Sequence, residues 1–334
     1  MTFAFQFFYF KLVSFLKFIL ILSSVKRFKN IFSPLLLFLA SIIYLIGMMR
    51  SGGVDILNYK YDYIYHDLGF IFDPGYNLLV KLGNFLHLPF EGFLFCIGAI
   101  NLFLLFKVCK YFNVNFGTTL AILLIHLIVV RDFSQMRVSL AINLALYAYT
   151  FPTIIRYFIY LFAGSVHFTS FALTGMLLSY KYYNQNRGFK KIIPFLGIFA
   201  IASSLHLLTF IDPRIDIYLN WDRKDYGQSV SNFNQLAFIC FLLLMYVFKN
   251  GLKFDLFGYS FLFSIVVFIS FSSVSIFSYR LTNVCFSLYP FFVAHTLNND
   301  KNGIYKLCLI TLLILIVSAR SSTNDIINSI HLGD

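Results

Sequence analysis

The side chains of this chain that could do chemistry are arginines inside apolar runs, carboxylates interleaved with tyrosines, and a histidine among small residues. The stretch RDFSQMRVSLAINLALYAY places Arg131 and Asp132 in a two-residue connection and Arg137 inside the helix that follows. At 1.5 Å per residue, Arg137 lies about 6 Å below the start of that helix. In a bilayer an arginine costs about 2.5 to 3.5 kcal/mol at the centre and less near the interface, so this one requires a partner. Its planar fork matches phosphate oxygens, which makes a pyrophosphate one candidate. A structural ion pair with Asp132 or another outer carboxylate is the other.

A second group is RSGGVDILNYKYDYIYHDLGFIFDPGYNLLVKLG, which gathers Arg50, Asp55, Tyr59, Tyr61, Asp62, Tyr63, Tyr65, His66, Asp67, Asp73 and Tyr76. Tyrosine faces stack on sugar rings and carboxylates accept hydrogen bonds from sugar hydroxyls, so the composition suits a carbohydrate. A belt of interfacial tyrosines beside a solvated loop would have the same composition. Asp73-Pro74-Gly75-Tyr76 reads as a turn, with Pro fixing one backbone angle and Gly permitting a reversal. The apolar stretch to Leu88 then reads as a loop dipping back toward a membrane.

GSVHFTSF sets His167 among small residues that let helices approach closely. Its imidazole could serve as a general base, hold phosphate when charged, or cap a helix. Arg280, in SYRLTNVCFSLYP, reads as opening a late helix. Arg214, Arg223 and Lys224 fall in a second polar stretch with Trp221 and Tyr218, which also reads as a solvated loop. His126, His167 and His206 share no helix and no ligand-type spacing, so no metal site is expected. The five cysteines lie in or beside apolar segments without a Cys-x-x-Cys pair, as buried thiols do. Nucleotide-binding glycine motifs, a nucleophile elbow and an Asp-x-Asp pair are all absent from the sequence.

The elements that must position these groups are set by composition. Of 334 residues, 59% are hydrophobic and 12% charged, with 44 Phe and a mean hydropathy of +0.79. A soluble domain carries about 25% charged residues, so an aqueous protein is excluded. Apolar runs fall at 3–25, 31–49, 91–109, 117–130, 133–151, 154–180, 192–211, 233–248, 254–275, 279–297 and 304–319. Their helix-like length excludes a β-barrel. The expectation is an all-α, polytopic membrane bundle with about ten to twelve crossings, forming a single domain over residues 1–334. Two longer outer loops are expected, at about 50–90 and 212–232. Lys11 and Lys17 interrupt the first run and no small-residue cleavage site follows, so it reads as a retained helix.

Charge orients the bundle. The net charge is +12. If 154–180 is a hairpin of two short helices turning near His167, all the basic loops share the cytoplasmic face, as the positive-inside rule prefers. These are 26–29, 107–110, Arg156, 181–191, 249–253 and 301–306. Asp55, Asp62, Asp67, Asp73, Glu91, Asp132, Asp212, Asp216, Asp222, Asp225, Asp325 and Asp334 then gather outside, with Asp255 and Asp300 left inside. Acidic residues contribute little to topogenesis, so chemistry needing carboxylates is expected at the outer face.

At these residues the chain resembles the Wzy and EpsG families of bacterial polysaccharide polymerases. The matching features are Arg50 with Asp55 and Tyr59, the Asp73 to Tyr76 turn, the Met-Arg-x-x-Leu-Ala start from Arg137 to Ala141, the His167 to Ser170 segment and the late Arg280. Asp73 stands where such turns more often carry Glu. The resemblance implies a glycosyltransferase of the bacterial inner (plasma) membrane. Such an enzyme transfers a glycan chain from undecaprenyl pyrophosphate to a lipid-linked repeat unit at the periplasmic face, in O-antigen, lipopolysaccharide or exopolysaccharide synthesis. Catalytic candidates are Asp55, Asp73, His167 and Arg137; substrate-binding candidates are Arg50, Tyr59, Tyr76, Arg131 and Arg280. Stabilising the departing pyrophosphate falls to Arg131, Arg137 and Arg280. The base is Asp55, Asp73 or His167. No cofactor or metal is implied, and no nucleic acid; the partners implied are the lipid-linked oligosaccharide, membrane lipid and a chain-length regulator protein. A membrane sugar O-acyltransferase, a lipid-linked oligosaccharide flippase and a non-catalytic scaffold are the alternatives.

The topology is open to a direct test. In a Cys-free variant, single cysteines at Tyr63 and Trp221 are expected to react with an impermeant thiol reagent from outside, and one at Asn186 only after permeabilisation. Labelling of position 186 from outside would refute the hairpin.

Overall fold

The computed structural model describes residues 19, 29–48, 54–65, 73–126, 136–203, 232–252, 254–272, 275–299 and 305. These residues are helical throughout, joined by turns and short 3₁₀ segments, so the all-α expectation holds for them. The expected N-terminal helix, Arg50, His66, Asp67, Arg131, Asp132, His206, the 212–228 stretch and the 306–319 run lie outside the described residues. The described residues group into two compact units, one ending at Phe168 and resuming at Pro290, the other spanning Thr169–Tyr289.

The first unit contains α1 (Lys29–Met48), α2 (Val54–Tyr65), α3 (Pro74–Phe85), α4 (Phe90–Tyr111), α5 (Phe116–His126), α6 (Met136–Ala148) and α7 (Thr153–Val166). Helix α4 has 22 residues and is long and apolar enough to cross a membrane; it is the one such helix among the described residues. Its length of about 33 Å follows from the helical rise. The apolar segments Ser33–Ile46, Met136–Ala148, Thr153–Val166, Gln235–Asn250 and Leu256–Ser270 are shorter. Glu91 in the first turn of α4 and Lys110 in the last complement the helix dipole. Asn113 ends the helix at φ 53°, in the left-handed region, and Val114 N–H bonds back to Cys109.

Packing within this unit follows polar pins set in apolar faces. Asn115 caps α5 through the Thr118 N–H at 2.9 Å and donates to Ser33 Oγ of α1 at 3.2 Å. Helix α1 packs on α4 and α5, α4 on α6, α6 on α7, and α7 on α3. In the apolar α4–α6 contact, buried Asn143 donates to buried Asn101 at 2.9 Å. A buried amide pair is satisfied in one alignment of the two helices, so it sets their register. Arg156 closes the α6–α7 turn by donating to the Tyr149 and Phe151 carbonyls, which neutralises the C-terminal end of α6.

Two sequence expectations change here. The 50–90 stretch is not an irregular loop: α2 and α3 occupy much of it. Asp73-Pro74-Gly75-Tyr76 is not a turn but a helix start, with Asp73 at the N-cap and Pro74 in the first turn. Pro lacks an N–H, and the first helical N–H has no intrahelical acceptor, so Pro is at home there. The break in 154–180 does fall where the hairpin reading put it. Helix α7 ends at Val166, His167 is extended, and α8 begins at Ser170.

The second unit contains α8 (Ser170–Gln185), a 3₁₀ turn (Gly188–Ile192), α9 (Ile193–Ser203), α10 (Asn232–Asn250), α11 (Leu256–Ser270) and α12 (Ser275–Cys285). Asp255 caps α11 through the N–H groups of Phe257 and Gly258. Tyr259 of α11 is fully buried among Tyr180, Tyr183, Phe195 and Phe263, with its hydroxyl donating to Ser179 at 3.0 Å. The run expected at 279–297 is interrupted: α12 ends at Cys285, Phe286–Leu288 is 3₁₀, and α13 spans Tyr289–Asn299. Pro290 clashes with the carbonyl four residues before it, at Phe286, which is where the α-helix gives way.

Gly75 is the tightest spot in the first unit. A Cβ there would strike Ser165 Oγ and sit 2.9 Å from the Ser165 carbonyl carbon and 3.0 Å from Val166 N. Because these are backbone atoms, Gly75→Ala is expected to destabilise by about 1–3 kcal/mol and lower the amount of folded protein. Gly175 of α8 meets nothing within 4 Å. Gly175→Ala is therefore expected to be neutral or stabilising by up to about 1 kcal/mol. Thermal melts of the two variants in the same detergent test the contrast.

Candidate active site

The close approach at Gly75 brings the start of α3 beside the end of α7, and so places Asp73 next to His167. Asp73 is buried, and its side chain makes no capping bond to its own helix. The carboxylate turns instead toward α6, where Oδ2 accepts from Arg137 at 2.7 Å. Its other oxygen, Oδ1, lies 3.8 Å from His167 Nδ1. The Phe168 backbone N–H also acts on this carboxylate and favours its charged form. Arg137, Asp73 and His167 thus form a row in which the carboxylate stands between guanidinium and imidazole.

Aromatic rings enclose the row. The Arg137 guanidinium lies 4.9 Å from the ring centre of Tyr59 and 5.3 Å from that of Tyr76. Cation–π contacts of this kind contribute about 2 kcal/mol when water is excluded. The two tyrosine rings meet at 5.9 Å, and Tyr76 also meets Phe93 edge-on. Tyr63 ties α2 to the α3–α4 connection by donating to the Leu88 carbonyl at 2.7 Å, and Asn84 of α3 donates to the Tyr63 carbonyl. Tyr59 and Tyr63 are one turn apart on the buried face of α2, whereas Tyr61 and Tyr65 stack at 4.6 Å on its exposed face. The tyrosines therefore do not all form a solvated belt: Tyr59, Tyr63 and Tyr76 are core residues, so exposed Tyr61, and not Tyr63, is the position of α2 suited to labelling from outside.

Burial raises the Asp73 carboxyl above its ordinary range, while Arg137 and the Phe168 N–H pull it down. The partner of Arg137 is therefore the carboxylate of the Asp-Pro-Gly-Tyr segment. Asp62, one turn from Tyr59, is also buried and acts electrostatically on Tyr76. The sequence places it among the carboxylates of the 50–90 stretch that suit a carbohydrate, but not among the catalytic or substrate-binding candidates. Its three-residue offset from Tyr59 becomes a signal once residues 54–65 are known to be helical.

Of the candidates read from sequence, Asp73, His167, Arg137, Tyr59 and Tyr76 come together. Asp55 lies on α2, but its side chain is outside the described residues, as are Arg50 and Arg131. Arg280 is half-buried on α12 in the second unit and sits in its second turn rather than at its opening, because the helix already begins at Ser275. One turn further on, Asn283 accepts from Gln235 of α10 at 2.8 Å. Among the described residues, no group of three His, Cys, Asp or Glu side chains is placed to hold a metal ion.

An arginine, a carboxylate of raised affinity for protons and an imidazole in one enclosed row can bind an anion and move a proton. No curated protein and no solved structure matches the chain significantly. The family model of the EpsG family matches residues 46–329, a span that holds every member of the row. The chain belongs to the EpsG family.

Proposed function

We propose that the protein is a multi-pass enzyme of the bacterial inner membrane that polymerises polysaccharide from lipid-linked repeat units. The observation that carries the reading is the Arg137–Asp73–His167 row, enclosed by Tyr59 and Tyr76, inside the span that matches the EpsG family. The composition supports the membrane placement, since 12% charged residues and a mean hydropathy of +0.79 leave little that water could solvate. A lipid-linked donor also suits a chain without a nucleotide-binding motif.

In this reading the donor is a glycan on undecaprenyl pyrophosphate and the acceptor is the terminal sugar of a lipid-linked repeat unit. Pyrophosphate is already a competent leaving group, so the main demand on the protein is a cation where negative charge develops. Arg137 meets it with a forked, permanently charged group in a site shielded from water. The acceptor hydroxyl needs a base, and Asp73 and His167 are the described candidates. Tyr59 and Tyr76 orient the guanidinium and offer faces against which a sugar ring can rest.

Deletion of the gene is expected to leave single repeat units on the cell-surface glycan in place of long chains. Loss of a flippase would remove surface repeat units altogether, and loss of an acyltransferase would leave chain length intact, so a gel profile of surface polysaccharide distinguishes the three. Normal long chains in the deletion strain would end the polymerase reading.

Arg137→Lys keeps the charge but loses the fork, and is expected to lose at least about tenfold in activity at normal protein level. Arg137→Ala is expected to be at least as damaging. Chain-length distribution measured against membrane protein level checks this. Full-length polymer from well-expressed Arg137→Ala would remove Arg137 from the mechanism.

A further inference from the structure

The Arg137 guanidinium is already engaged in this structure: Asp73 Oδ2 holds it at 2.7 Å and two tyrosine faces flank it. An incoming diphosphate must compete with that carboxylate for the guanidinium. The carboxylate has somewhere to go. Its second oxygen is 3.8 Å from His167 Nδ1, too far for a hydrogen bond, and a shift of about 1 Å would make one. The Phe168 N–H, which favours the charged form of the carboxylate, belongs to the residue next to His167.

We propose that Asp73 is an exchangeable counter-ion, released from Arg137 by the donor's diphosphate and handed to His167, which becomes the general base only when the donor is in place. The proposal rests on the reading of Arg137 as the diphosphate-binding group and adds the identity of the base and its control. Asp73 is then a positioning residue and His167 the catalytic one.

Charge balance favours the exchange. The described charged or titratable side chains of this cluster are Arg137 of α6, Asp73 and Tyr76 of α3, Tyr59 and Asp62 of α2, and His167 at the end of α7. With Asp73 on Arg137 the fork is neutralised and an anion gains little by approaching. Once the diphosphate takes the fork, Asp73 is a buried carboxylate without its cation. Such a group is costly unless it finds a new one. Imidazolium at His167 supplies that cation, so the orphaned carboxylate raises the proton affinity of the ring at the moment the acceptor hydroxyl must lose its proton.

The step then balances. The acceptor oxygen forms a bond to the anomeric carbon as the bond from that carbon to the diphosphate oxygen breaks, and the electron pair leaves with the diphosphate on Arg137. The hydroxyl proton passes to His167 and, after product departs, to water. Asp73 returns to Arg137. Without donor, Asp73 stays on the guanidinium, with its second oxygen 3.8 Å from His167 Nδ1.

The test is equilibrium binding of farnesyl diphosphate to the purified full-length protein in nanodiscs, with farnesol as the control for the lipid tail, alongside chain-length profiling in cells. Asp73→Asn removes the competing charge, so its affinity for farnesyl diphosphate should rise at least about tenfold over wild type while long polymer is lost. His167→Gln leaves the released carboxylate without a new cation, so it should weaken affinity for farnesyl diphosphate and also lose long polymer. A purely structural Asp73 would lower affinity and protein level together. Unchanged or weaker binding by Asp73→Asn, with binding lost in Arg137→Ala, would overturn the exchange and leave the diphosphate reading standing. Wild-type affinity in Arg137→Ala would instead overturn the diphosphate reading itself. If Asp73→Asn does not accumulate, His167→Gln decides: wild-type affinity, or polymer of normal length, overturns the hand-over.

Discussion

A guanidinium taken out of water must find negative charge within a few ångströms, and here that charge comes from 64 residues earlier in the chain. An arginine in the first described turn of an apolar helix would be costly by itself. Asp73 meets the need from the N-cap of α3, and for that it gives up the capping bond an aspartate normally makes to its own helix. The surroundings of the ion pair are what such a pair requires. Gly75 lets α3 and α7 approach to backbone contact, the Asn101–Asn143 bond sets the register of α4 against α6, and Tyr59 and Tyr76 flank the guanidinium. Removing one partner of such a pair leaves a buried charge that costs about 3–5 kcal/mol, which ties the integrity of the site to that of the fold.

The same constraint explains why this pair is suited to function more than to stability. Replacing a buried ion pair by apolar residues of similar volume is often neutral or stabilising, so burial of Arg137 and Asp73 is not needed to hold helices together. The pair is also asymmetric. Arg137 faces aromatic rings on two sides, whereas Asp73 faces a second titratable group, His167, and a backbone N–H from the residue after it. A carboxylate placed between a permanent cation and an ionisable one can change partner with little movement. A purely structural bridge has no use for that arrangement.

How much of this could be read without coordinates varies with the range of the interaction. The break of 154–180 near His167 was legible because it followed from the placement of basic loops, a rule of charge that acts along the chain. The start of α3 at Pro74 was misread as a turn, since Asp-Pro-Gly is common to turns and to helix N-termini and only the continuation decides between them. The interruption at Phe286–Leu288 follows from Pro290, but the run was apolar throughout and hydropathy does not register a missing N–H. Tyr59 and Tyr76 were read as sugar-facing or interfacial, and they are 3% and 1% exposed core residues against a guanidinium.

The sequence by itself determined the all-α class that the described residues show, because its apolar runs have the length of helices and not of strands. It also determined that Arg137 needs an anion, because the cost of its placement depends on its local surroundings alone. The choice of Asp73 as that anion was decided by tertiary structure. Several outer carboxylates were available to Arg137, and nothing along the chain ranks them. The contact of Gly75 with Ser165 and Val166 does, because it brings Asp73, at the N-cap of α3, beside the end of α7. Residues far apart in sequence become a site only when helix packing removes the space between them, and that distance is a property of the fold, not of any one segment.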